Sequence, residues 1–108
     1  MAKLRLTRPF EKDGKKVEEF ELNLDTLKGS DIVAAEREAR IRGDTSPNPL
    51  FSSLGAAIIA ARVSGWIVDD VLNLPAPDFL IITDTVTNFL YGWTLPAGAL
   101  QEASEESP

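Results

Sequence analysis

The sequence contains no cysteine and no histidine. The first absence removes disulfides and thiolate nucleophiles. The second removes the side chain that most often moves protons near neutral pH, and together they remove Cys/His zinc sites. Lack of cysteine fits a reducing compartment, and Met1-Ala-Lys-Leu4 carries no apolar signal core. Positive charge is scarce in one half. Residues 1–42 hold ten basic and nine acidic groups, whereas residues 43–108 hold one basic group, Arg62, and eight acidic ones. Nucleic-acid binding needs Lys and Arg against phosphates, so the second half argues against it. A net charge of −6 serves solubility and can steer a basic partner.

Long hydrophobic runs are missing as well. The most apolar stretch, Leu50 to Val68, is interrupted by Ser52, Ser53, Gly55 and Arg62. It is too short and too polar for a membrane span and predicts a buried helix. The carboxylates form no cluster with metal-ligand spacing, and no EF-hand loop occurs. Asp69-Asp70 is the only acidic doublet of the second half. Neighbouring positions on a helix diverge by about 100°, so the pair serves a helix start better than a shared proton or ion. Asp78 and Asp84 fall near opposite faces of one helix, with Asp78 in its first turn. Gly29-Ser30 lacks the flanks of a phosphate loop, and Gly65, Gly92 and Gly98 make no cofactor fingerprint. No catalytic, cofactor-binding or metal-binding residue is therefore expected; the chain reads as a binding protein and not an enzyme.

What is present is a clear succession of elements. Residues 3–24 predict a β-hairpin, because Leu4 and Leu6, then Phe20, Leu22 and Leu24, alternate with polar residues. Asp13-Gly14 supplies the turn. A three-residue loop Lys12-Asp13-Gly14 would set Leu4 against Leu22, Leu6 against Phe20 and Arg5 against Glu21, with Pro9 near the turn. Two strands alone are unstable in water and need cover. Helices are expected over about 28–42, 49–64, 68–73 and 76–91. Ser30 or Asp31 would cap the first, Glu36/Arg40 and Glu38/Arg42 would pair along it, and Gly43 would stop it. Asn48-Pro49 would open the second, which is apolar nearly all round and ends at Gly65. The loop 43–49 is polar, proline-rich and expected to be mobile. The last segment, with Phe79, Ile82, Val86 and Phe89 at helical spacing, favours a helix over a strand despite its β-branched run.

The expected architecture is thus α+β: a two-stranded antiparallel hairpin on three to four helices. Residues 1–92 would form one domain, and 93–108 a flexible, disordered acidic tail. Candidate partner-binding residues are Phe51, Leu54, Ile58, Trp66 and Phe89, as a patch mixing core with contact, together with Trp93, which leads into the tail. Aromatics dominate binding hot spots. The second helix has more apolar surface than a hairpin and two helices would be expected to cover, which suits a partner or self-association.

The order of motifs adds a resemblance. Lys3-Leu-Arg-Leu-Thr-Arg-Pro-Phe10, Asp13-Gly-Lys-Lys-Val17, Phe20-Glu-Leu22, Lys28-Gly-Ser-Asp31 and Ala34-Ala-Glu36 resemble the opening of Mu-like phage tail assembly chaperones. Ala60-Ala-Arg-Val-Ser-Gly65, Val71-Leu-Asn-Leu74 and Ala76-Pro-Asp-Phe79 through Asn88-Phe-Leu90 are similar to the later part of that family. The resemblance spans residues 3–91. One departure is Asn23-Leu-Asp25, where family members often carry an Arg-Glu pair. The resemblance implies a protein of the bacterial host cytoplasm, made during phage or prophage assembly. It would hold the helical tape measure protein soluble until the tail tube polymerises. The rival readings are a structural tail or baseplate adaptor, which would remain in purified virions, and a small regulatory binding module.

Overall fold

The computed structural model describes residues 2–94 of the chain. The architecture is α+β, with an N-terminal antiparallel hairpin, β1 (Ala2–Lys12) and β2 (Lys15–Leu22), followed by four helices. These are α1 (Gly29–Ile41), α2 (Ser53–Ser64), α3 (Val68–Leu72) and α4 (Ala76–Thr94). Short 3-10 turns, Leu24–Thr26 and Pro49–Phe51, precede α1 and α2. The acidic tail expected from position 93 lies, for residues 95–108, outside the described residues. Helix α4 itself runs to Thr94, past the expected end at 91.

The hairpin forms, but in a different register from the one expected. Asp13 (φ 54°) and Gly14 (φ 78°) both have positive φ, the mark of a two-residue type I′ turn. Lys12 therefore faces Lys15, and Phe10 faces Val17. Between Arg5 and Phe10 the ladder is interrupted, and beyond it Arg5 faces Glu19, Leu4 faces Phe20 and Ala2 faces Leu22. The extra β1 residues form a bulge at Leu6-Thr7-Arg8-Pro9 rather than a regular run toward the turn. Pro9 has no N–H to give the ladder, and a bulge is where a strand tolerates that. The polar face keeps its charge pairing with changed partners: Lys3 meets Glu21 at 3.8 Å and Arg5 meets Glu18 at 3.5 Å. Such exposed pairs contribute about 0.2–1 kcal/mol each. Full burial of Phe20 and Leu22 contributes about 1.5–3 kcal/mol each, so the apolar face, which the expected and observed registers share, outweighs the charge pairs.

Helix α2 is the centre of the core. Residues Gly55 to Ala61 are buried without interruption, two full turns closed on every side. It packs against α1, α3, α4 and β2. The beginning of α2 differs from the expectation. Asn48-Pro49 opens the 3-10 turn, and the cap of α2 is Ser52, whose hydroxyl accepts from the Gly55 N–H at 3.0 Å. Gly55 is required there: a Cβ on it would lie 1.9 Å from the Pro49 carbonyl oxygen. Gly65 closes α2 in the left-handed conformation (φ 83°), as expected.

The loop before α2 is pinned rather than loose. The Asp44 carboxylate accepts from the Ser46 hydroxyl at 2.6 Å, the Ser46 N–H at 2.9 Å and the Ser52 hydroxyl at 2.5 Å. These bonds, the Ser46 hydroxyl first and the Ser52 hydroxyl next, hold its pKa down to about 2. Arg40 turns to the Asp44 and Ser46 carbonyls at 3.3 and 2.6 Å.

On α1 the cap position is Lys28, and neither Ser30 nor Asp31 occupies it. Asp31 acts from the third position of the helix, accepting the Lys28 N–H at 2.9 Å and the Arg62 guanidinium at 2.9 Å. Both lower its pKa, the Lys28 bond most. The Arg62 pair sets the start of α1 beside the end of α2, where each charge also suits its helix dipole. The expected Glu38/Arg42 pair is present at 3.0 Å. Only Ala35 and Ala39 of α1 are fully buried, so this helix packs through small side chains and leaves Val33 and Ile41 outside.

Candidate partner-binding site

The candidate residues divide into places rather than forming one patch. Ile58, in the middle of α2, is 0% exposed and belongs wholly to the core. Phe51, Leu54, Trp66 and Phe89 are half-buried against that core. Trp66 stands at the end of α2, where its indole stacks on Phe10 (centroids 5.4 Å) and meets Phe20 at 4.7 Å. The ammonium of Lys12 lies 5.6 Å from the ring. The bulge in β1 allows this, because it turns the outer part of the hairpin until Phe10 shares an indole with Phe20. Phe51, by contrast, precedes α2 and pairs with Tyr91 at 4.9 Å. A twelve-residue helix is about 18 Å long, so the two aromatic groups stand at opposite ends of α2. The Phe51–Tyr91 contact also sets the end of α4 beside the start of α2. Trp93 falls in the last turn of α4, and its side chain lies outside the described residues.

Helix α4 has two faces. Ile82, Val86 and Leu90 are buried, as is Asp78, while Leu80, Ile81, Asp84, Asn88 and Tyr91 face outward. Leu80 is 55% exposed and Ile81 and Tyr91 are each 48% exposed. The outward apolar residues and the sole tyrosine were not among the sequence candidates. The signal was available: at 100° per residue they lie opposite the stripe through Ile82, Val86 and Leu90. Phe89 and Tyr91 diverge by about 200° on the same reckoning, so Phe89 occupies the other flank from the Phe51–Tyr91 pair. The β-branched run that made a strand conceivable is accommodated by back-bonding: the Thr83 and Thr85 hydroxyls donate to the Leu80 and Ile81 carbonyls at 3.2 and 2.7 Å.

Asp78 and Asp69 serve structure. Asp78, 2% exposed in the first turn of α4, accepts from Thr7 in the β1 bulge. Asp69 lies in the first turn of α3 without capping it, since Ile67 holds the cap position, and reaches Arg42 at 3.4 Å. Among the described residues no group of three or more Asp, Glu, His or Cys is arranged to hold a metal. No described helix is long and apolar enough to cross a membrane.

A family model described as phage tail assembly chaperone proteins, E, or 41 or 14, matches residues 3–91. No curated protein and no solved structure matches the chain.

Proposed function

The chain belongs to the phage tail assembly chaperone family, and from that premise we propose that its client is the tape measure protein, kept soluble in the bacterial host cytoplasm until the tail tube polymerises. The work is binding, not turnover. The observation that carries this reading is the pairing of a filled interior with an apolar outer face. Gly55 to Ala61 are closed on every side, while Leu80, Ile81 and Tyr91 project from α4. A helical client is gripped through apolar residues at helical spacing, which such a face offers. Several copies along one long client would add avidity.

Co-expression tests the proposal. A phage tape measure protein is produced with and without this chain, and its soluble fraction is measured. The soluble fraction is expected to rise in the presence of the chain. Equal solubility in both cases overturns the reading. Purified virions give a second check, since a chaperone is released before they mature and a structural tail component is retained.

A further inference from the structure

Leu80, Asp84, Thr87 and Tyr91 follow one another at spacings of four, three and four along α4. That is the spacing of a helix-packing seam, and Ile81 and Asn88 flank it. The seam rises about 16 Å, three turns, at 1.5 Å per residue. Its outer apolar members are roughly half exposed. At its centre stands an exposed carboxylate, Asp84. Asp84 and Thr87 are its polar members, and a carboxylate within such a seam fixes register by requiring a matching group opposite.

Charge selects the occupant. A second copy of α4 packed in parallel would set Asp84 directly against its own counterpart. An antiparallel copy centred on the seam would set Asp84 opposite Thr87 and still hold the two carboxylates within about 5 Å of each other along the axis. Like charges so placed are repelled. The chain's own residues 95–108 carry three glutamates and no cation, so they offer Asp84 no partner either. No Lys or Arg occurs after Arg62, and Arg62 itself is engaged by Asp31 of α1.

We infer that the outer face of α4 is a docking seam for an amphipathic helix that presents apolar residues at three- and four-residue spacing and a Lys or Arg opposite Asp84. This deepens the proposed function and rests on it, by naming the surface and the chemistry of the client segment.

Two synthetic helical peptides test it, each with a leucine stripe at that spacing. One carries lysines beside the stripe, and its twin carries glutamates at the same positions. Binding to the full chain is followed by fluorescence anisotropy at low and high salt, after circular dichroism has shown that each variant is folded. The lysine peptide is expected to bind at least about tenfold tighter than its twin, with the preference shrinking in salt. Asp84→Lys is expected to invert the preference, and Leu80→Ser with Tyr91→Ser to abolish binding of either peptide. Equal binding of both peptides, or a preference unmoved by Asp84→Lys, overturns the inference. Co-expression separates this failure from failure of the function itself. If the chain keeps the tape measure protein soluble and the Leu80→Ser/Asp84→Lys variant does so equally, the seam is wrong and the chaperone reading stands. If the unaltered chain does not keep it soluble, the chaperone reading has failed.

Discussion

Thr7 donates twice to Asp78, through its backbone N–H to one carboxylate oxygen and through its hydroxyl to the other, each at 2.9 Å. The two residues are 71 positions apart, and their contact fastens the hairpin to the first turn of α4. The carboxylate supplies the acceptor that the interrupted ladder denies to the Thr7 N–H. Charge-assisted bonds of this kind contribute about 1.5–3 kcal/mol. Asp78→Ala should therefore lower stability to urea by about 1–3 kcal/mol without altering the slope of the transition. A double-mutant cycle with Thr7→Val isolates the hydroxyl bond from the backbone bond and from the dipole effect of Asp78 on α4. Additive losses in that cycle would show that the hydroxyl bond contributes nothing.

Gly55→Ala tests a close approach of backbone to backbone. On helix propensity alone the change would stabilise by about 1 kcal/mol. The added methyl, however, would stand 1.9 Å from the Pro49 carbonyl oxygen and 2.9 Å from its carbon. Backbone atoms cannot swing aside as a side chain does. The steric term wins, and the variant should be destabilised by about 1–3 kcal/mol or more. Thermal unfolding followed by circular dichroism gives the sign directly.

Stability should depend on pH through Asp44. Its pKa falls from 3.8 to about 2 in the folded chain. A carboxyl held below its unfolded value adds stability above the unfolded pKa and loses it as pH falls through the folded one. The loss is thus expected as pH drops from about 4 toward about 2. Asp31 contributes in the same direction, since its pKa is also lowered by the Lys28 N–H and by Arg62. Unfolding free energies measured across this window should fall less steeply for Asp44→Ala, and least for the Asp31→Ala/Asp44→Ala double variant. An unchanged slope would count against the hydrogen bonds to Ser46 and Ser52.

The indole of Trp66 predicts a hierarchy. Lys12→Ala removes a partly exposed cation–π contact and should cost about 0.5–1 kcal/mol. Trp66→Ala removes packing against both Phe10 and Phe20 and should cost about 2–4 kcal/mol, less than a fully enclosed tryptophan would. Chemical denaturation ranks the two. A Lys12 effect as large as the Trp66 effect would contradict the packing described.

The alternation of Leu4 and Leu6 and of Phe20 and Leu22 made the hairpin legible in the sequence, and the enclosed run through Ile58 and Ile59 identified the central helix. The register was not legible. It depends on a bulge whose unpaired N–H is satisfied by Asp78, far along the chain, and nothing within the hairpin announces that partner. The start of α2 was misplaced for a related reason. Asn48-Pro49 has the local form of a helix opening, but Asp44 holds Ser52 in position to cap the helix instead. Of the candidate site, Phe51, Leu54, Trp66 and Phe89 were found at the margin of the core. Their grouping into one patch was not, because spacing along a chain says little about which end of a helix each residue reaches. Tyr91 lies on the side of α4 that faces away from the buried stripe, and apolar spacing marks only the stripe.

The enclosure of α2 sets a limit on how anything can be carried. Seven consecutive positions, Gly55 to Ala61, are already occupied on all sides by the chain's own residues. A client of the kind proposed would then rest on the exterior, and its release would need only two surfaces to part, with no unfolding of the chain.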